Sequence, residues 1–173
     1  MADSTDVLSA AVGTWTLDAA ATTINVHTKA MWGMVKVNAR FRALEGSGAV
    51  GADGSVTGSL TVDAASVDSG VAKRDQHLRT KDFFEVETHP TFVYEASAVT
   101  PAGDGSFTIA GTFTVHGQAR PLAVTATATP DGADRVTVHG TAELDRTEWG
   151  LNWTKMGARV HNHIVVDAVF TKA

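Results

Sequence analysis

The chain contains no cysteine, so disulfides, thiolate nucleophiles and Cys-ligated metal centres are excluded from the start. It also lacks a basic surplus. Its 14 lysines and arginines are scattered and outnumbered by 19 acidic residues, for a net charge of −5. They form no cluster of the kind that marks contact with a nucleic-acid backbone or an anionic membrane surface. No apolar run approaches the roughly 18 residues that a membrane-spanning helix needs, and stable membrane insertion is not expected. Residues 1–11 carry Asp3 and Asp6, no Lys or Arg and no apolar stretch; they do not read as a secretory signal, which predicts a cytoplasmic location. Catalytic hallmarks are equally sparse: there is no serine in a nucleophile-elbow setting, no second carboxylate cluster and no phosphate-binding loop.

What is present is alternation. Phe107, Ile109, Gly111, Phe113 and Val115 alternate with Thr108, Ala110, Thr112 and Thr114, which places one apolar and one mostly polar face on a single strand. Val35, Val37, Ala39, Phe41 and Ala43 alternate with Lys36, Asn38, Arg40 and Arg42, and Val136 to Leu144 repeats the pattern. Similar rows start at Ile24, Val56, Leu122 and Val160. Turn signals such as Asp53-Gly54, Gly103-Asp104-Gly105 and Pro130-Asp131-Gly132 join consecutive strands too closely for parallel crossovers. With 173 residues, 43% of them hydrophobic, one domain is expected over residues 13–173 behind a flexible tail at 1–12. The predicted fold is all-β: a single closed antiparallel barrel of about eight strands with one short helix near residues 72–81.

The inward rows hold many small residues, among them Gly58, Gly111, Gly140, Ala39, Ala126, Ala142 and Ala168. A barrel of this size either fills itself with side chains or encloses one small ligand. Small inward residues suit a hollow interior, and equally a tapered packing plugged by aromatics.

The stretch Arg74-Asp75-Gln76-His77-Leu78-Arg79, followed by Asp82-Phe83-Phe84 and His89-Pro90-Thr91-Phe92, resembles the central signature of the YceI-like family. Trp15-Thr16-Leu17-Asp18, Ser66 to Gly70, Gly111 to Gly117, Arg146 with Trp149-Gly150-Leu151, and Val160 to Phe170 are similar to further family segments in the same order, so the likeness spans residues 13–173. The chain departs from the pattern in carrying Ala30-Met31 where members commonly have a His-Met pair, and Ala39 where they have Gly. Residues 1–11 show no export signal of the kind many members carry. The resemblance implies an extended lipocalin-like barrel that binds polyisoprenoids, with a hydrophobic small molecule as partner and, by analogy, a homodimer. No metal or other cofactor is expected besides a bound isoprenoid or fatty lipid.

The candidate ligand-binding residues are Arg74, Asp75, His77 and Leu78 on the helix segment, Phe83 and Phe84 after it, and Phe92, Tyr94, Phe113, Trp149 and Trp153 as aromatic lining. Arg74, Asp75 and His77 have two readings: they tie the helix to the barrel through buried hydrogen bonds, or, with Arg79, they meet an anionic or carbonyl head group at the barrel mouth. An enzyme would use His77 as a general base oriented by Asp75, but residues two apart on a helix do not face each other. His27, His139, His161 and His163 fall on polar strand faces and are expected to face water. His161 and His163 share a face that could chelate a divalent ion, with no further ligand evident; His116 reads as a turn residue. Met31, Trp32, Gly33 and Met34 are expected as an exposed lip. The function expected is binding, sequestration or transport of a long apolar or amphiphilic lipid, with an enzyme acting through Asp75 and His77, or a ligand-free structural barrel, as alternatives.

Overall fold

A computed structural model of the chain describes residues 4–173. The alternating segments form β1 (Gly13–Leu17), β2 (Thr23–Ala30), β3 (Val35–Val50), β4 (Val56–Asp68) and β5 (Thr91–Pro101). The second half adds β6 (Phe107–Val115), β7 (Gln118–Pro121), β8 (Val124–Pro130), β9 (Arg135–Asp145) and β10 (His161–Lys172). Every pairing among them is antiparallel. Eight strands close a ring in the order β2-β3-β4-β5-β6-β8-β9-β10, because β10 pairs with β9 on one side and β2 on the other. The expected count of about eight describes this ring; β1 and β7 are additions to it. β1 bridges β10 and the far end of β3, through Trp15↔Lys172 and Gly13↔Val50. β7 extends the hairpin with β6.

Local chemistry sets the turns and bends. In two hairpins the sequence Asp-Gly-Ser recurs: Asp53 Oδ1 accepts from the Ser55 N–H and hydroxyl, and Asp104 Oδ1 does the same for Ser106. The glycines between them, Gly54 and Gly105, take φ of 85° and 86°, a region that costs an L-residue with a Cβ. β3 runs for 16 residues and bends around the ring at two register shifts against β4, between Arg40 and Arg42 and between Ala43 and Glu45.

Two segments differ from the sequence expectation. Where a flexible tail is predicted, Ser4–Ala10 form a helix, α1, and the Trp15 indole N–H donates to the Ala11 carbonyl at 2.8 Å; residues 1–3 of that tail lie outside the described residues. The predicted helix is α2, Ala72–Leu78. It stops short of residue 81 because the Thr80 hydroxyl donates to His77 O at 2.6 Å and the Phe84 N–H takes Leu78 O at 3.0 Å, turning the chain into the ring.

The polar strand faces carry paired histidines. Register places His139 opposite Asp167 and His163 opposite Glu143; His139 Nδ1 lies 2.7 Å from Asp167 Oδ1, and both His161 and His163 bond the Glu143 carboxylate. These histidines lie on the outer face, as their phase predicts.

Candidate ligand-binding cavity

The ring is hollow. Its interior holds a cavity of about 1040 Å³, at the top of the roughly 300–1,000 Å³ range of small-molecule sites. All eight ring strands contribute walls: Ile24 and Val26, Val37 and Ala39, Leu60 and Val62, Tyr94 and Ala96, Ile109 and Phe113, Val124 and Ala126, Val138 and Gly140, Ile164 and Val166. The lining is almost wholly apolar. The cavity runs between opposite ends of β3, from Val7 and Leu8 of α1 with Trp15 and Val50 at one end to Met31, Val35, His77 and Trp153 at the other.

The small inward residues have two roles. Ala39, Ala126, Ala142 and Ala168 line open space. Gly111 does not: a Cβ there would lie 2.6 Å from the Tyr94 ring, which occupies the place of a side chain. Tyr94 is held by its hydroxyl, which donates to Leu122 O at 2.8 Å, and burial pushes its pKa up to about 12.

Aromatic rings floor one side of the cavity. Phe84 packs edge-on against Phe92 at 5.0 Å and Phe41 at 5.9 Å, and Phe113 meets Trp149 at 5.9 Å. Trp149 is 1% exposed and its indole N–H donates to Phe113 O at 2.8 Å. Beyond them, Phe83, His77 and Trp153 form a second cluster, with centroids 4.7 Å apart for His77 and Trp153 and 5.2 Å for Phe83 and Trp153.

Of the sequence candidates, Leu78, Phe83, Phe84, Phe92, Tyr94, Phe113, Trp149 and Trp153 all line this cavity, and so do Arg74 and His77. Asp75 does not. It is buried, and its Oδ1 accepts from the Ser69 N–H at 2.9 Å and from the Ser69 hydroxyl. It therefore serves the turn before α2, and the pair it would form with a catalytic His77 is absent. His77 instead lies 2.7 Å from Asp82 Oδ2. Arg74 donates to Ser69 Oγ and Ser69 O, both at 2.8 Å, and Arg79 donates to Ala65 O and Val67 O. The tying role thus accounts for Asp75, Arg74 and Arg79. Arg79 lies outside the cavity.

The sequence reading missed Arg146 as a site residue. Val136, Val138, Gly140, Ala142 and Leu144 set the inward phase of β9, and one more step of two lands on Arg146. It is 7% exposed and lines the cavity. Its Nε donates to Arg159 O at 3.2 Å and its Nη1 to Leu151 O at 2.6 Å, while Nη2 is buried without a partner. The Phe83 ring lies under the guanidinium at 5.4 Å. Burial lowers its pKa from the ordinary value, against the raising effect of the Asp145 charge. Asp145 itself is engaged elsewhere, its Oδ1 accepting from the Thr147 N–H and hydroxyl.

At the α2 end the lip is exposed, as expected: Trp32 is 67% and Met34 85% accessible. Met31, Trp32 and Gly33 take φ of 51°, 56° and 88° in succession, a costly run for residues with a Cβ. Away from the cavity, one group among the described residues could hold a metal ion. Glu85, His89 and His116 bring a carboxylate and two imidazoles within 4.8 Å of one another, a donor set that suits zinc.

Comparison with known proteins is consistent across the chain. A family model described as YceI-like domain matches residues 15–171. A UPF0312 protein of Vibrio cholerae is 29% identical over 115 residues, 64% of this chain and 61% of that protein. A UPF0312 protein of Ectopseudomonas mendocina is 37% identical over 76 residues, 44% of this chain and 40% of that protein. The match thus spans less than two thirds of these relatives' own length. Among solved structures, Burkholderia cenocepacia BcnA superposes with a TM-score of 0.77 at 22% identity, over 88% of this chain and 98% of that one. A polyisoprenoid binding domain from Saccharophagus degradans, implicated in plant cell wall breakdown, gives 0.73 at 16% identity, over 92% and 98%.

Proposed function

The chain belongs to the YceI-like domain family, and from that premise we propose that it binds a long-chain apolar or amphiphilic lipid, of the polyisoprenoid or fatty class, inside the ring. The observation that carries this reading is the continuous apolar cavity of about 1040 Å³. Along the ring interior its walls are apolar, and the charged residues among its lining lie toward the α2 end. Burial of a chain supplies about 0.8 kcal/mol per methylene, so a few isoprene units suffice for tight binding. The polyisoprenoid-binding domain that shares the fold supports the same ligand class.

The protein is read as a binder and carrier rather than a catalyst. Support comes from Asp75, committed to Ser69, and from His77, which faces Asp82 and two aromatic rings instead of a nucleophile. Among the described residues no helix is long and apolar enough to cross a membrane. Titration of delipidated protein with a fluorescent polyprenyl probe tests the proposal. Saturable binding at one probe per chain is expected; no binding, together with no lipid in a solvent extract of the purified protein, would overturn it.

A further inference from the structure

Apart from His77 and Tyr94, the ionisable residues that line the cavity share one sign. Lys29, Lys73, Arg74, Arg146, Lys155 and Arg159 are all cationic, and no Asp or Glu lines the cavity. This holds in a chain with a net charge of −5.

Contacts bring the segments that carry the six together at the α2 end, although Lys29 shares the outward phase of β2 with His27. Arg146 donates to Arg159 O, and the Arg159 N–H donates to Lys29 O at 2.9 Å. Phe83 beneath Arg146 touches Trp153, two residues before Lys155; Trp153 touches His77, whose helix carries Lys73 and Arg74. Lys29, Lys73, Lys155 and Arg159 are exposed, Arg74 is half-buried and Arg146 is buried. Of the six, Arg146 is the one buried from water.

Arg146 is the decisive member. A buried guanidinium is ordinarily paired with a carboxylate. Among the described residues none forms a salt bridge with Arg146, which spends two nitrogens on backbone carbonyls and keeps Nη2 unpartnered beside the cavity. We propose that the cavity is built for an amphiphile with an anionic head, a carboxylate or a phosphate. The head sits against Arg146 at the α2 end, and the chain runs along the ring interior toward Trp15. This rests on the lipid-binding reading above and adds its head group. A neutral carbonyl or hydroxyl head could accept one hydrogen bond from Nη2, but it would leave the buried charge uncompensated and the cationic mouth without a purpose. An anion satisfies both, through charge-assisted bonds stronger than neutral ones.

The test uses the delipidated full-length chain and displacement of a neutral fluorescent reporter by matched pairs: oleate against oleyl alcohol, and geranylgeranyl monophosphate against geranylgeraniol. At pH 7 at least one anion is expected to bind about tenfold or more tighter than its alcohol, and the pair that shows it identifies carboxylate or phosphate as the head. Arg146→Met should bring that ratio to about one, and Arg146→Lys should keep part of it. If Arg146→Met does not fold, Lys73→Gln with Lys155→Gln should reduce the ratio measurably, as should raised salt. Equal affinity for both members of both pairs in the unaltered protein would overturn the anionic head while leaving the lipid cavity intact. Failure of all four to displace the reporter would instead overturn the lipid-binding reading itself.

Discussion

Replacing Ala126 by Phe gives opposite signs for a hollow and a filled interior. Ala126 lines the cavity from β8, 2% exposed, and its cross-strand neighbour on β9 is Gly140, which presents no side chain. A phenyl ring there runs past the Val124 side chain, whose Cγ1 fills the place of a Gly140 side chain, and projects into the cavity. In the empty protein the ring is buried at little cost in strain, a gain of about 1–2 kcal/mol. For a chain of this length that corresponds to a rise of about 3–6 °C in Tm. In the loaded protein the same ring displaces about five methylene equivalents of ligand, near 0.8 kcal/mol each, so binding weakens by about 4 kcal/mol or roughly a thousandfold. Differential scanning calorimetry of delipidated protein and titration with a polyprenyl probe measure the two effects. In a filled core the substitution would instead overpack and cost about 1–3 kcal/mol. A fall in Tm with unchanged probe affinity would refute the hollow interior.

Three further predictions concern the walls. Tyr94 is the only tyrosine, so absorbance at ~295 nm after a rapid pH jump reports its ionisation alone, with a midpoint expected near 12 rather than the usual value of about 10. Because the folded pKa is raised, this contribution to stability is complete below pH ~10 and is lost as pH climbs through the folded value. With the ring half-exposed the loss is about 1 kcal/mol after allowance for screening, and Tyr94→Phe should abolish that part of the alkaline slope. Asp75→Ala should cost about 2 kcal/mol in urea unfolding by orphaning the buried Ser69 N–H, whereas His77→Ala, whose ion pair is half-exposed, should cost less than about 1 kcal/mol. Trp149→Ala should cost about 3–5 kcal/mol by opening a void at a fully packed position, and Trp149→Phe about 1–2 kcal/mol, mainly for the lost bond to Phe113 O.

How far the molecule could be read in advance follows the reach of period-two alternation. That period assigned the inward rows of β2, β3, β4, β6, β8, β9 and β10, and the cavity walls follow them. It could not say whether a small residue opens space or yields it to a neighbour: Ala39 and Ala168 line the cavity, while Gly111 admits Tyr94 and Gly140 admits Val124 from the adjacent strand. The Asp75 and His77 pairing was settled by contacts distant from the helix, with Ser69 before it and Asp82 after it. Arg146 was within reach of the same alternation. A charge at an inward position breaks the pattern, and such a break points to a function for that residue.

Native mass spectrometry of protein purified gently from the cells that make it decides whether the ring holds a lipid, because a retained ligand reports its own mass. A species one lipid heavier than the chain is expected, its extra mass released on collisional activation and matching an amphiphile with a long apolar chain. A preparation that remains at the mass of the bare chain, and that gains no mass when offered polyprenyl or fatty amphiphiles, would contradict it.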